Sequence, residues 1–309
     1  MLFLFEYTTC TENGFPASIA VEGLAMFKAL SMGIKEEVYS FINPEHIAQF
    51  RNFSMAEKLN EDFSTALEKC DKALIIAPES ENLLYILTEK VEKAYIENLG
   101  ISSRAVRICS DKYETLRRVR GLRTPETEVF NGKTSLDFPL VAKPRVGEGG
   151  EGVFFIRNEE GLGRIPENYI IQEYIPGQTA SASLFSSDNK TELVSLQTQV
   201  IDGFRYMGAD IPFEIENREE LIDASYRIEG LNGFFGMDFI INNGEIVLLE
   251  INPRVTTPVI AFEAAYGITF YDILDGKFPE RTVRTRIRKI EGKAKNPFIS
   301  TGNYSIVIR

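Results

Sequence analysis

The stretch LLEINPRV, residues 248–255, sets a carboxylate, an amide and a guanidinium at positions 250, 252 and 254 of an apolar, β-rich run. Side chains alternate across a strand, so Glu250, Asn252 and Arg254 are expected on one face and Leu249, Ile251 and Pro253 on the other. Upstream, GMDFII (236–241) and EIVLLEINP (245–253) flank Asn243-Gly244, the residue pair of a two-residue hairpin turn. That hairpin brings Asp238 towards Glu250. Eleven residues separate the two acids, so a regular Asn-Gly hairpin would pair Asp238 with Leu249 and put the carboxylates on opposite faces. A shared site therefore demands an odd-numbered loop or a bulge.

Oxygen donors of this kind suit Mg²⁺, with Mn²⁺ as an alternative, and two ions about 3.5–4 Å apart could share Glu250. Arg254 beside them would neutralise charge on a transferring phosphoryl group. The competing reading is a structural salt-bridge ladder. Its two carboxylates and one amide against one guanidinium would be poorly balanced if buried.

Composition narrows the chemistry. The chain has 309 residues, 44% hydrophobic and 26% charged, as a multidomain globular protein does. A net charge of −11 argues against nucleic-acid partners. No apolar run approaches the roughly 18 residues of a membrane helix, and MLFLFEY lacks the basic start of a signal peptide, so no membrane partner is expected. Three scattered cysteines, at 10, 70 and 109, suit a reducing cytoplasm. Residues 281–309 hold eight Lys or Arg and a single acid, Glu291, and read as a solvated basic tail. His46 is the only histidine, which leaves carboxylates, lysines, arginines and bound ions to carry any catalysis.

Along the chain, LFLF (2–5), EVYSFI (37–42) and KALIIA (72–77) read as strands, alternating with helices over 16–32, 54–69 and 80–99, the last capped by Ser80. This alternation predicts a doubly wound parallel-sheet domain over 1–109. A second unit, 110–178, opens with a helix over 110–121 capped by Ser110 and continues with strands at 138–145, 153–156 and 169–175. A third, 179–309, holds strands at 180–185 and 193–200, a helix over 217–230 capped by Asn217, and the hairpin. The fold class is α/β and α+β.

Two further motifs bear on function. In PLVAKPRVGEGGEGV (139–153), Gly147, Gly149, Gly150 and Gly152 make a loop between two strands. A dinucleotide fingerprint or a Walker loop must open a helix, so both are excluded. Glycine lets backbone N–H groups approach phosphate oxygens, and Lys143 would add a cation. A flexible surface loop fits the same residues. In YIIQEYIPG (169–177), the strand end resembles a hinge whose backbone reads an adenine edge, although an ordinary strand and turn is the plainer reading.

These pieces in this order resemble the ATP-grasp superfamily of carboxylate–amine ligases across essentially the whole chain: Asp111-Lys112, the AKP with its glycine loop, QEYIPG, and Asp238 with Glu250-Ile251-Asn252-Pro253-Arg254. The resemblance implies a small lid domain over 110–178 and a C-terminal antiparallel-sheet domain that grips ATP against it. By position it implies Lys112 and Lys143 on the phosphates and Glu173 and Ile175 at the adenine. It likewise implies Asp238, Glu250 and Asn252 as magnesium ligands and Arg254 on an acyl phosphate. The acid that commonly holds the ribose has no counterpart among Gln178, Thr179 and Ala180.

The segments FLFEY, APESENLL (77–84) and ICSDK (108–112) are also similar to the archaeal tyramine–glutamate ligases of methanofuran biosynthesis. That likeness implies an ADP-forming enzyme with glutamate and tyramine as partners. Arg205 is then a candidate for the acid, and Glu6, Tyr7 and Glu22 for the amine. The alternatives are a ligase for another amino-acid pair, a carboxylase, or a nucleotide-binding regulatory module. Homodimeric assembly stays open.

Overall fold

Leu2–Glu6 (β1) is buried along its whole length and apolar up to Glu6, as a strand covered on both faces must be. It pairs in parallel with Val38–Tyr39 (β2) and Lys72–Ile76 (β3), and β3 pairs with Glu97–Asn98 (β4), giving the order β2-β1-β3-β4. The computed structural model describes residues 1–11, 15–50 and 62–309. The expected helix over 54–69 therefore lies partly outside the described residues; its remainder is the helix Phe63–Glu68, capped by Asp62. The helix expected over 16–32 forms as Ala17–Ser31 and packs against β1.

Two helix starts differ from expectation. Ser80 caps nothing: it opens a single 3-10 turn, Ser80–Asn82, in which Glu81 and Asn82 are left-handed (φ 54° and 57°) before the helix Leu83–Lys93. Ser110 ends the helix Ser103–Ser110, and Asp111 caps the next one, Lys112–Arg118. A carboxylate wins here because Asp111 accepts the Tyr113 and Glu114 N–H groups, both at 3.1 Å, while also taking Arg145.

The second sheet is antiparallel, in the order β5-β8-β6-β7: Thr127–Val129 (β5), Leu140–Pro144 (β6), Phe154–Ile156 (β7) and Tyr169–Glu173 (β8). It has a small core of its own around Leu140, Ala142, Ile156, Leu162 and Ile171. The glycine-rich loop joins β6 to β7.

The third sheet has eight antiparallel strands. They are Gln178–Ser187 (β9), Lys190–Asp202 (β10), Arg205–Ile211 (β11), Gly233–Asn242 (β12), Glu245–Asn252 (β13), Thr285–Glu291 (β14), Ile299–Thr301 (β15) and Tyr304–Ile308 (β16), in the order β13-β12-β9-β10-β11-β14-β16-β15. The helix expected over 217–230 shrinks to Glu219–Ser225, and Asn217 stands before it in a left-handed conformation (φ 56°). The segment read as a basic tail supplies β14 to β16. Period-two alternation of Arg and Lys with apolar residues let those strands pass as tail. Lys289 is buried against Glu22 at 2.5 Å, and Arg288 pairs with Asp210. Among the described residues, no helix is long and apolar enough to cross a membrane.

Candidate active site

The hairpin of β12 and β13 keeps its two-residue turn, with Asn243 and Gly244 both left-handed (φ 51° and 86°) and Asn242 opposite Glu245. The register then slips: Phe239 faces Leu248, but Asp238 faces Glu250. Leu249 is the bulged residue. The odd spacing is thus resolved by the bulge, and Asp238 and Glu250 share a face. Leu249, expected to point to the opposite face with Ile251, instead borders the cavity, and its carbonyl accepts from the Lys143 ammonium at 3.4 Å. Two donors fix Asp238: Asn252 Nδ2 at 3.0 Å on one oxygen and Gln199 Nε2 at 2.9 Å on the other.

Two lysines from the segment 110–178 face these acids. Lys112 stands at the first turn of its helix, donates to the Gly147 carbonyl and pairs with Glu250 at 3.5 Å. Lys143, on β6, is buried; burial pushes its ammonium down to about 8, with Glu250 opposing the shift. Asp238 goes the other way. Burial, then the neighbouring Glu250, pushes its carboxyl up to about 7. Burial also raises Glu250, but Lys112 and Lys143 outweigh it and hold that carboxyl below the ordinary range. Two carboxylates this close share protons unless a cation lies between them.

A cavity of about 430 Å³ opens between the second and third sheets. Every residue expected from the glycine loop, the hinge and the hairpin lines it except Gly152, whose absent side chain makes room for the Tyr169 hydroxyl. The loop lies close over the site: a Cβ at Gly150 would stand 1.9 Å from the Phe204 carbonyl oxygen in the β10–β11 turn. At the hinge, Glu173 pairs with Arg123 at 3.5 Å, and the Ile175 N–H takes no partner among the described residues. Arg254 is held by Glu79, its Nε 2.9 Å from one carboxylate oxygen.

Of the four residues assigned to the two substrates, only Glu22 reaches the cavity wall, where it accepts from Thr257 and pairs with Lys289. Glu6 is 3% exposed and spends its carboxylate on the N–H groups and hydroxyls of Thr8 and Thr9, capping the short helix Tyr7–Cys10. Tyr7 stacks edge-on against Phe15, and Arg205 is exposed; neither lines the cavity. Gln199 and Glu79 were missed from sequence. Alternation along β10 could have found Gln199, on the same sheet face as Asp238. Nothing local marks Glu79, which lies 175 positions from its partner.

Among the described residues there is no cluster of three or more His, Cys, Asp or Glu side chains fit for a metal. The donor set is two carboxylates and an amide. That suits a hard cation that keeps waters and phosphate oxygens, and it does not suit a closed protein cage.

The chain belongs to the ATP-grasp family: residues 109–258 match the ATP-grasp domain and residues 43–106 the pre ATP-grasp 3 domain. It is an ATP-using enzyme of the carboxylate–amine ligase class. Among curated relatives, it is 32% identical to a tyramine–L-glutamate ligase of Methanocaldococcus fervens, over 95% of this chain and 98% of that one. The ligase of the same name from Methanocaldococcus jannaschii is 31% identical over 84% and 83% of the two chains. A solved ATP-grasp superfamily structure from Archaeoglobus fulgidus superposes with a TM-score of 0.87 and 38% identity, covering 99% of this chain and 98% of that one. The biotin carboxylase of Campylobacter jejuni has the same fold, with a TM-score of 0.72 at 15% identity over 97% of this chain and 77% of that one.

Proposed function

We propose that this enzyme joins the γ-carboxylate of glutamate to the amine of tyramine, converting ATP to ADP and phosphate. The observation that carries the chemistry is the bulge at Leu249, which lines up Asp238 and Glu250 below two lysines and beside Arg254 in one cavity. The two tyramine–L-glutamate ligases support the choice of substrates.

In this reading the glutamate carboxylate attacks the γ-phosphorus of ATP and ADP leaves. Tyramine nitrogen then attacks the acyl carbon, and phosphate departs as the amide forms. Phosphoryl transfer of this kind needs alignment and charge neutralisation more than a protein acid or base, which fits a chain with one histidine. Lys112 and Lys143 bind the phosphates. The glycine-loop N–H groups cover them, and the backbone at Glu173 and Ile175 takes the adenine. Arg254 steadies the acyl phosphate. Asp238, Glu250 and Asn252 would hold Mg²⁺, or Mn²⁺ in its place, and the ion would supply positive charge to the phosphates. The boundaries 1–109, 110–178 and 179–309 mark the units we assign to support, lid and metal site.

The test is purified protein with ATP, Mg²⁺, glutamate and tyramine, products read by mass and ADP by coupled assay. One γ-glutamyl-tyramine per ADP supports the proposal. ADP release that ignores tyramine, or condensation only with other amines, overturns the substrate assignment.

A further inference from the structure

The segment APESENLL plays no part in the chemistry above, yet two of its adjacent residues hold side chains of the cavity wall, Arg254 and Glu148, from the N-terminal unit. Glu79 is 4% exposed and takes Arg254 with both carboxylate oxygens, at 2.9 and 3.4 Å. At the next position, the Ser80 N–H and hydroxyl donate to the two oxygens of Glu148, at 3.3 and 3.0 Å. Glu148 belongs to the glycine-rich loop. The turn carrying the pair is set by two successive left-handed residues, Glu81 and Asn82, a conformation that residues other than glycine seldom adopt. Burial, and then Glu79, raises the Glu148 carboxyl while Arg254 opposes them, so all three charged groups act on one another.

We propose that Ser80 and Glu79 are positioning residues. Ser80 latches the glycine-rich loop over ATP through Glu148, and Glu79 sets Arg254, so enclosure of the nucleotide and placement of Arg254 are coupled through the N-terminal unit. The role given to Arg254 rests on the ligase reading; the latch does not. An unlatched loop admits water, which converts the acyl phosphate back to carboxylate and inorganic phosphate. ADP then accumulates without amide.

Two readouts on the full-length protein test this. Affinity for a non-hydrolysable ATP analogue with Mg²⁺, measured by calorimetry, should fall about tenfold in Ser80→Ala and in Glu148→Ala, the loss expected for a hydrogen bond to a charged group. The double variant should fall no further, and Ser80→Thr, which keeps the hydroxyl, should match wild type. Amide formed per ADP should drop severalfold in both single alanine variants. Glu79→Gln should keep analogue affinity within about twofold while lowering amide per ADP; Glu79→Asp serves if the glutamine variant does not fold. Unchanged analogue affinity, or losses that multiply in the double variant, overturns the latch. An unchanged amide-to-ADP ratio in Glu79→Gln removes Glu79 from this role. Should wild type make no amide from glutamate and tyramine, the substrate assignment fails, and analogue affinity still decides the latch.

Discussion

Gly149 and Gly150 stand side by side in the loop we propose covers the phosphates, and alanine at the two positions should behave very differently. Both are left-handed, with φ of +68° and +73°. An alanine at either position costs roughly 1–2 kcal/mol in backbone strain. At Gly149 that is the whole cost, because the nearest atom to an added Cβ is Ile19 Cδ1 at 3.9 Å. At Gly150 the Cβ would sit 1.9 Å from the Phe204 carbonyl oxygen, so the loop and the β10–β11 turn must separate by more than an ångström. Overpacking of this kind adds about 1–3 kcal/mol. Both costs fall on the closed loop, so they should surface as weaker ATP binding with little change in melting temperature. Steady-state ADP release should show the KM for ATP up about tenfold in Gly149→Ala and about another tenfold or more in Gly150→Ala. Equal KM values in the two variants would refute the packing of the loop against Phe204.

Lys143 must be protonated to attract phosphate, and its ammonium is pushed down to about 8, so ATP affinity of the free enzyme should weaken as pH rises through about 8. Binding isotherms between pH 6.5 and 9.5 check this, and Lys143→Met should flatten the profile. Burial raises Asp238 from 3.8 to about 7, so the folded protein holds a proton that the unfolded chain has released, and this group lowers stability as pH climbs through that window. Asp238→Asn should therefore stabilise the metal-free protein at pH 8, by an amount on the order of 1–3 kcal/mol, read from denaturant unfolding, and should abolish activity by removing a proposed metal ligand. Glu6→Gln should cost about 1–2 kcal/mol of stability by weakening a buried cap while leaving the KM for tyramine unchanged.

Much of the candidate site's geometry was legible because it is local. The spacing of Asp238 and Glu250 around an Asn-Gly turn forces a choice between a non-regular hairpin and a divided site, and the bulge at Leu249 answers it. The glycine loop lies between two strands, as its flanking residues indicate. The helix break at Asp111 was missed because Ser110 is an equally good cap by type; Arg145, 34 positions away, helps decide the matter. Glu6 looked like a free carboxylate at a strand end, but its acceptors are spent within three residues by Thr8 and Thr9. Glu79, Gln199 and the pairing of Lys289 with Glu22 depend on contacts between distant segments, which no local pattern encodes.

A divalent cation gathered by the two aligned acids is the centre of the proposed site. Mn²⁺ titration followed by electron paramagnetic resonance, with an ATP analogue present, tests it most directly. Wild-type protein should retain Mn²⁺ tightly, and Asp238→Asn and Glu250→Gln should each weaken it by about tenfold or more. Retention unaffected by either substitution would mean that the cation lies elsewhere, and the proposed active site would be wrong.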